Sequence, residues 1–404
     1  MERPMKSSYL LSASALILLA ACSPAQTPER ETTPTPEASA PTEATVPFTN
    51  AMAMDTYGTL APVFGAPAAL PETATSSIDD PEAVFADAIT YAAETDSYAL
   101  LIWKDGALVL EKYFEPYDAS IRSEPASMHK SVLGLVTARA MQDGFIEGPE
   151  QPVSDFLTEW ENDPRGEITV GQLLTMSAGL AALSYEGGET SPGARFMAGT
   201  LEDVEGTLLG LQPEEGMGPH FHYQNTFSQL LMMVVERATG ENYTDYLSAK
   251  IWQPIGAEDG YVYTFGAGGM PRGYASFLAR PLDWLRLGLL IKDDGMYAGE
   301  EIISADLIDQ MTAPSELNPN YGWQIWRGAT FQEERYYNDE GAGFAALSSE
   351  PYLVDDIIFF DGFGGQRVII SKSEDLVIVR LGDTQLEWDD SALPNAVISA
   401  LNAD

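Results

Sequence analysis

Two apolar runs, Tyr98-Ala-Leu-Leu-Ile-Trp103 and Ala107 to Phe114, flank the tripeptide Lys-Asp-Gly, and stretches of comparable β character return only after Tyr321. Asp105-Gly106 tolerates the positive backbone angles of a two-residue hairpin turn, so the first pair reads as adjacent antiparallel strands. The later runs are Gly322 to Trp326, Ile357 to Phe360, Gln366 to Ile370 and Leu376 to Leu381, followed by a terminal helix over Ser391 to Leu401. Between the early and late strands the patterning is helical. A sheet assembled from both ends of a chain cannot be a doubly wound alternation. The expectation is an α+β fold, an antiparallel sheet flanked by helices, with an inserted mainly helical domain at roughly residues 145–315.

The helices are marked by their ends. Pro81-Glu82, with Phe85, Ile89 and Ala92 on one side, predicts a helix opening the domain that spans 81–404. A second runs from Ser127 to about Gly144. Thr169 and Gln172 have capping-box spacing, predicting a helix that carries Leu173, Leu174 and Met176 and stops at Gly179. Residues 180–222, rich in Gly, Pro and acids, read as long loops with one short helix. Thr226 to Thr239 repeats apolar residues at helical period and is closed by Gly240. Pro281 to Lys292 is helical again.

The start of the chain has another character. Residues 1–22 combine Arg3 and Lys6, an apolar run from Tyr9 to Leu19 and a small-residue end, the pattern of a signal peptide. Leu19-Ala20-Ala21-Cys22 resembles the lipobox of bacterial lipoproteins, which implies cleavage before Cys22 and lipidation of its thiol. Export, a lipid anchor and a periplasm-facing location follow as expectations. Cys22 is the one cysteine, so a processed chain has no disulfide. Ser23 to about Pro47 lacks large apolar side chains and reads as a disordered tether. Residues 48–80 read as an irregular arm on the domain.

With 21 basic against 61 acidic residues the formal net charge is −40. Such a surface repels nucleic acid and anionic headgroups, so no nucleic-acid partner is expected and membrane contact is expected only through the anchor. The acids are scattered, a pattern of solubility.

Chemistry concentrates at Ser127-Met128-His129-Lys130. Three residues of spacing put the Lys130 amine within reach of the Ser127 hydroxyl on a helix. A serine needs such activation, by a base or by a nearby positive charge. Of the seven lysines, Lys130 alone has a serine three places earlier. A second proton-handling group is available in Tyr223-Gln224-Asn225, provided that nearby positive charge lowers the tyrosine pKa. Tyr336-Tyr337-Asn338 fits the same pattern, next to the late strands, and ranks below it. Gly362-Phe363-Gly364-Gly365-Gln366 runs into a strand, where glycines permit close approach of substrate and a backbone amide could pair with that of Ser127 as an oxyanion hole.

In this order the segments resemble the serine β-lactamase and penicillin-binding-protein superfamily, nearest its esterase and 6-aminohexanoate-dimer hydrolase branches. The likeness also takes in Ile168 to Leu180 and Leu282 to Leu290. It implies that Ser127 is the acyl-forming nucleophile, Lys130 its activating partner and Tyr223 the second acid/base. It further implies an oxyanion amide at Phe363 within the glycine box, with Gly364 and Asn225 in the binding site and Tyr185 as a substrate contact. The Lys-Thr-Gly box of β-lactamases has no counterpart, since Asp361 precedes the glycines and Arg367 follows them.

The expected activity is hydrolysis of small esters or amides through an acyl-serine, without a cofactor. A β-lactamase, a D-Ala-D-Ala carboxypeptidase or a catalytically silent lipoprotein binding cell-wall peptides are the alternatives. No Gly-x-Ser-x-Gly elbow is present. His220-Phe-His222 lacks a third histidine or a thiolate to complete a metal set, so no metal is expected, and the pair reads as part of the pocket rim.

Overall fold

The Asp105-Gly106 turn forms as its dipeptide dictates, with φ of 49° and 81°, and joins strands Ser97–Lys104 and Ala107–Tyr113. The computed structural model describes residues 59–214, 220–338 and 345–403, and the backbone of Phe48–Asn50. The signal peptide, the lipobox with Cys22 and the tether lie outside the described residues.

One antiparallel sheet of six strands runs in the order Trp326–Arg327, Ile358–Gly362, Gln366–Ser371, Leu376–Gly382, Ser97–Lys104, Ala107–Tyr113. Leu376–Gly382 pairs with Ser97–Lys104, Ile378 opposite Ile102, and so closes the two ends of the domain on each other. The central strands are buried on both faces, which is why they read as continuous apolar runs. The Pro281–Lys292 helix packs on them. Gly288 permits its close approach, since a Cβ there would press on Val377 and Val368. The Ala86–Glu94 and Ala392–Leu401 helices pack on each other. The architecture is α+β.

Several expectations change in detail. The helix expected from Pro81 is two, Pro81–Val84 and Ala86–Glu94, broken at Phe85. Residues 48–80 are not irregular throughout: Leu60–Val63 is a strand paired with Gly260–Tyr263, inside the region expected to be helical. Thr169 and Gln172 do make a reciprocal capping box, yet the helix ends at Leu174. Met176 has a φ of 58°, and the chain beyond it pairs with other segments: Met176 O accepts from His222 N and Gly179 O from Glu214 N. The described residues of 180–222 hold two short α-helices, Pro192–Ala198 and Val204–Leu209.

The strand expected at Gly322 shrinks to Trp326–Arg327. Gln324 is the reason. Its φ is 57°, and its buried side chain accepts from Ser228 Oγ at 2.6 Å and donates to Leu173 O and Leu174 O, both at 3.0 Å. Its backbone oxygen accepts from Ser131 Oγ at 2.8 Å. One residue thereby ties together the helices His129–Gln142, Val170–Leu174 and Asn225–Thr239. These bonds satisfy polar groups that burial would otherwise penalise by about 1–3 kcal/mol each.

Candidate active site

Ser127 lies in a tight turn, Ala126–Met128, that feeds directly into the His129–Gln142 helix. The reading of Ser127 as a helical residue is thus shifted by half a turn, and the tighter winding keeps positions three apart aligned. Ala126 just before it has a φ of 51°, a costly conformation for a residue with a Cβ. The turn is braced by Gly362, whose missing side chain leaves room for the Pro125 carbonyl oxygen.

Lys130 is buried, and its Nζ sits 3.0 Å from Ser127 Oγ, 2.7 Å from Asn225 Oδ1 and 2.8 Å from Tyr274 O. Burial lowers its pKa from 10.5 to about 7, with Asp361 and Glu124 pulling the other way. A neutral amine has two N–H donors and one lone pair. Asn225 Oδ1 and Tyr274 O are acceptors that use the donors, which aims the lone pair at the Ser127 hydroxyl. This is the arrangement of a general base, with no further rotation required.

Tyr223 lies against the same group, its ring centroid 4.9 Å from Lys130 Nζ. The expectation of a lowered pKa is corrected: desolvation and the Asp361 charge push it up, with a hydrogen bond to Ser127 opposing in part. Tyr223 therefore stays a phenol and is fitted to give a proton rather than to take one. Tyr336 is turned outward, its hydroxyl on Glu334. Its neighbours Tyr337 and Asn338 do reach the cavity, and the Tyr337 ring is 5.4 Å from that of Tyr223.

Ser127, Asn225, Tyr223, Tyr185 and Phe363 line one cavity of about 660 Å³. Tyr185 stands at its mouth, 61% exposed, and packs over Gly193. Phe363 occupies the turn between the Ile358–Gly362 and Gln366–Ser371 strands. Gly364 does not line this cavity: its φ is 74°, its α-carbon packs on Thr384, and its carbonyl accepts from Gln385 N at 3.0 Å. It shapes the turn, and of the two residues Phe363 is the one that lines the cavity. Asp361 and Arg367, which flank the box, are buried with Arg335 and Asp390 in a closed square of ion pairs.

Sequence reasoning missed the backbone at residues 274–276. Tyr274 O holds Lys130; Ala275 O takes His129 Nδ1 at 2.7 Å; Ser276 N donates to Glu124 Oε1. His129, to which no role was given, is fully buried, and burial depresses its pKa from 6.5 to about 4. Neutral, it donates from Nδ1 and accepts at Nε2 from the Tyr243 hydroxyl, 2.9 Å away. No local sequence signal marks these backbone partners.

The six-stranded antiparallel sheet thus carries the glycine turn, and the Ala126–Met128 turn and the helix after it carry the serine–lysine pair. Residues 85–401 match the family described as Beta-lactamase, and the chain belongs to it. Among curated proteins, it is 26% identical over 231 residues to a 6-aminohexanoate-dimer hydrolase of Paenarthrobacter ureafaciens, covering 54% of this chain and 58% of that one. The match therefore spans little more than half of that relative. A Bacillus anthracis structure assigned as a 6-aminohexanoate-dimer hydrolase superposes with a TM-score of 0.66 at 18% identity, covering 86% of this chain and 90% of its own. EstCE1, described as a hydrolase with promiscuous acyltransferase activity, gives 0.59 at 17% identity, covering 80% and 98%. At these identities the superpositions speak to the fold.

Proposed function

We propose that the protein is a serine hydrolase that cleaves small esters or amides through an acyl-serine. The observation that carries this reading is the buried Lys130 amine, 3.0 Å from Ser127 Oγ with its pKa brought down to about 7. In the proposed cycle Lys130 takes the Ser127 proton as Oγ attacks the carbonyl carbon. The oxyanion is received by the backbone amides of Ser127 and Phe363, and Tyr223 protonates the leaving alcohol or amine. Water then enters and gives a proton to the Tyr223 phenolate as it attacks the acyl carbon, and Lys130 returns its proton to Ser127 Oγ as the acid leaves, which restores all three groups.

Substrate class follows from the walls. Phe196, Met197, Leu183, Tyr274 and Tyr337 make the cavity largely apolar, which suits an aliphatic or aromatic acyl chain. Arg335 and Arg367 are neutralised by Asp361 and Asp390, which disfavours their receiving the carboxylate of a β-lactam. The relative described as a 6-aminohexanoate-dimer hydrolase supports including short amide oligomers.

The test is labelling with a fluorophosphonate probe, followed by rates on nitrophenyl esters of graded chain length, a short amide oligomer and a cephalosporin. Ser127→Ala is expected to abolish labelling while the fold survives. Labelling that persists in that variant would place the nucleophile elsewhere, and a cephalosporin turned over faster than every ester would overturn the substrate class.

The proposal extends to location. Leu19 to Cys22 and the polar stretch after it support a lipid-anchored, periplasm-facing protein. No helix among the described residues is long and apolar enough to cross a membrane. Cys22→Ser is expected to leave the membrane fraction or to stay unprocessed; a mature Cys22→Ser protein still in the membrane fraction would refute the anchor.

A further inference from the structure

Two histidines at the cavity rim take no part in the acyl-serine chemistry. His220 and His222 are two residues apart in extended chain, so their imidazoles share one face while Phe221 between them is buried. Glu214 is brought beside them by the backbone described above: Gly179 O holds Glu214 N at 2.9 Å and Met176 O holds His222 N at 2.7 Å. The short helix end at Leu174 is what frees residues 176–179 to anchor both.

The side chains converge. Glu214 Oε2 is 3.3 Å from His220 Nε2 and 3.5 Å from His222 Nδ1. All three ligand atoms lie within 4.8 Å of one another. Glu214 Oε2 is shielded from solvent yet has no hydrogen-bond partner, so neither imidazole is aligned to give it a proton. A tetrahedral zinc ion with bonds of about 2.0–2.1 Å to nitrogen and oxygen sets its ligand atoms about 3.3–3.4 Å apart. Both carboxylate–imidazole separations fall at that edge length. Two imidazoles and one carboxylate are a donor set for zinc-class transition metals rather than for magnesium or calcium.

We propose that Glu214, His220 and His222 bind a divalent transition-metal ion of the zinc class at the rim of the cavity. Three protein ligands leave a fourth position for water or for a substrate group. Because His222 lines the cavity and precedes Tyr223, the ion clamps the wall that carries the phenol. One contact competes: Gln224 Nε2 lies 3.2 Å from His222 Nδ1. Its amide keeps a partner in Leu180 O at 3.0 Å when the ion takes that nitrogen.

The site stands apart from the hydrolase reading, and the experiment keeps the two separate. Full-length protein stripped with a chelator is titrated calorimetrically with Zn²⁺ in an excess of Ca²⁺, which occupies carboxylates elsewhere on the acidic surface. One equivalent of Zn²⁺ is expected to bind, equally well in Ser127→Ala. Glu214→Gln and His220→Ala are each expected to weaken it at least about tenfold. Circular dichroism establishes which variants fold, and Glu214→Asp replaces either one that does not, since its shorter arm withdraws the ligand atom. Absence of stoichiometric binding overturns the proposal, and so does binding that is undiminished in folded Glu214→Gln or His220→Ala.

Discussion

Replacing Lys130 by methionine tests the base directly, because the same buried amine governs both rate and stability. In the folded protein Lys130 holds its proton only below about pH 7, against 10.5 for the ordinary side chain. Between those values the unfolded chain binds one more proton than the native one, so the lysine destabilises the fold progressively as pH falls from 10.5 to about 7. Each pH unit is worth about 1.4 kcal/mol, so the wild type should gain about 4 kcal/mol on Lys130→Met between pH 7 and pH 10. The hydrogen bonds to Asn225 and Tyr274 are lost in the variant at every pH and cancel from this difference. Denaturant melts of both proteins across that range measure it. Single-turnover acylation of a nitrophenyl ester gives the second readout: the wild-type rate should rise to half its plateau near pH 7 as the free amine forms. Lys130→Arg should lose about 10²–10⁴ of the rate, since guanidinium gives up no proton there. A flat stability difference with pH, or an active Lys130→Arg, would show that the lysine works as a fixed charge and refute the argument.

Tyr223→Phe should slow acylation by about 10²–10⁴, whereas Tyr336→Phe, whose hydroxyl is on Glu334, should leave it unchanged. The double variant Lys130→Ala/Tyr223→Phe should be little slower than the slower single, because each loss already disables a shared proton path. His129→Gln should remove an acid sensitivity: the wild-type imidazole resists protonation down to about pH 4, so the wild type loses about 3 kcal/mol between pH 6.5 and 4, measurable by denaturant melts. Gly362→Ala should reduce acylation by about 10² through displacement of the turn at Pro125 while the protein stays folded by circular dichroism.

Much of the sheet was legible because its signals are local. Asp105-Gly106 fixes a hairpin through the φ angles that two residues tolerate, and Leu376 to Leu381 reads as a strand because both its faces are buried. Pro281–Lys292 carries its own start signal and spans the residues expected of it. The serine–lysine spacing is local in the same sense. What failed was decided by distant partners. Met176 ends a helix early because its carbonyl is claimed by His222, and Gln324 leaves a strand to bind three helices. Neither residue differs in composition from one that would continue its element. The tyrosine pKa departs from expectation for a related reason: the family resemblance implies Lys130 near Tyr223, but not that burial lowers the lysine pKa or that the Asp361 charge acts on the phenol.

The location of the base also explains why its surroundings are built as they are. A desolvated lysine beside a turn held at an unfavourable Ala126 geometry is a local liability of several kcal/mol, and it persists only where neighbours over-determine it. Three consecutive residues, Tyr274, Ala275 and Ser276, supply that restraint, each bonded to a different member of the nucleophile segment, Lys130, His129 and Glu124. Tyr274 O is a backbone acceptor and cannot rotate away, so it fixes one amine donor while Asn225 Oδ1 takes the other. The restraint must also include a histidine that stays neutral, since an imidazolium one residue from Lys130 would both repel a proton arriving there and lack an acceptor for Tyr243. Burial of His129 meets both conditions at once. The dry environment that converts Lys130 into a base is the same one that holds its neighbour uncharged, and the two depressed pKa values are consequences of a single packing arrangement.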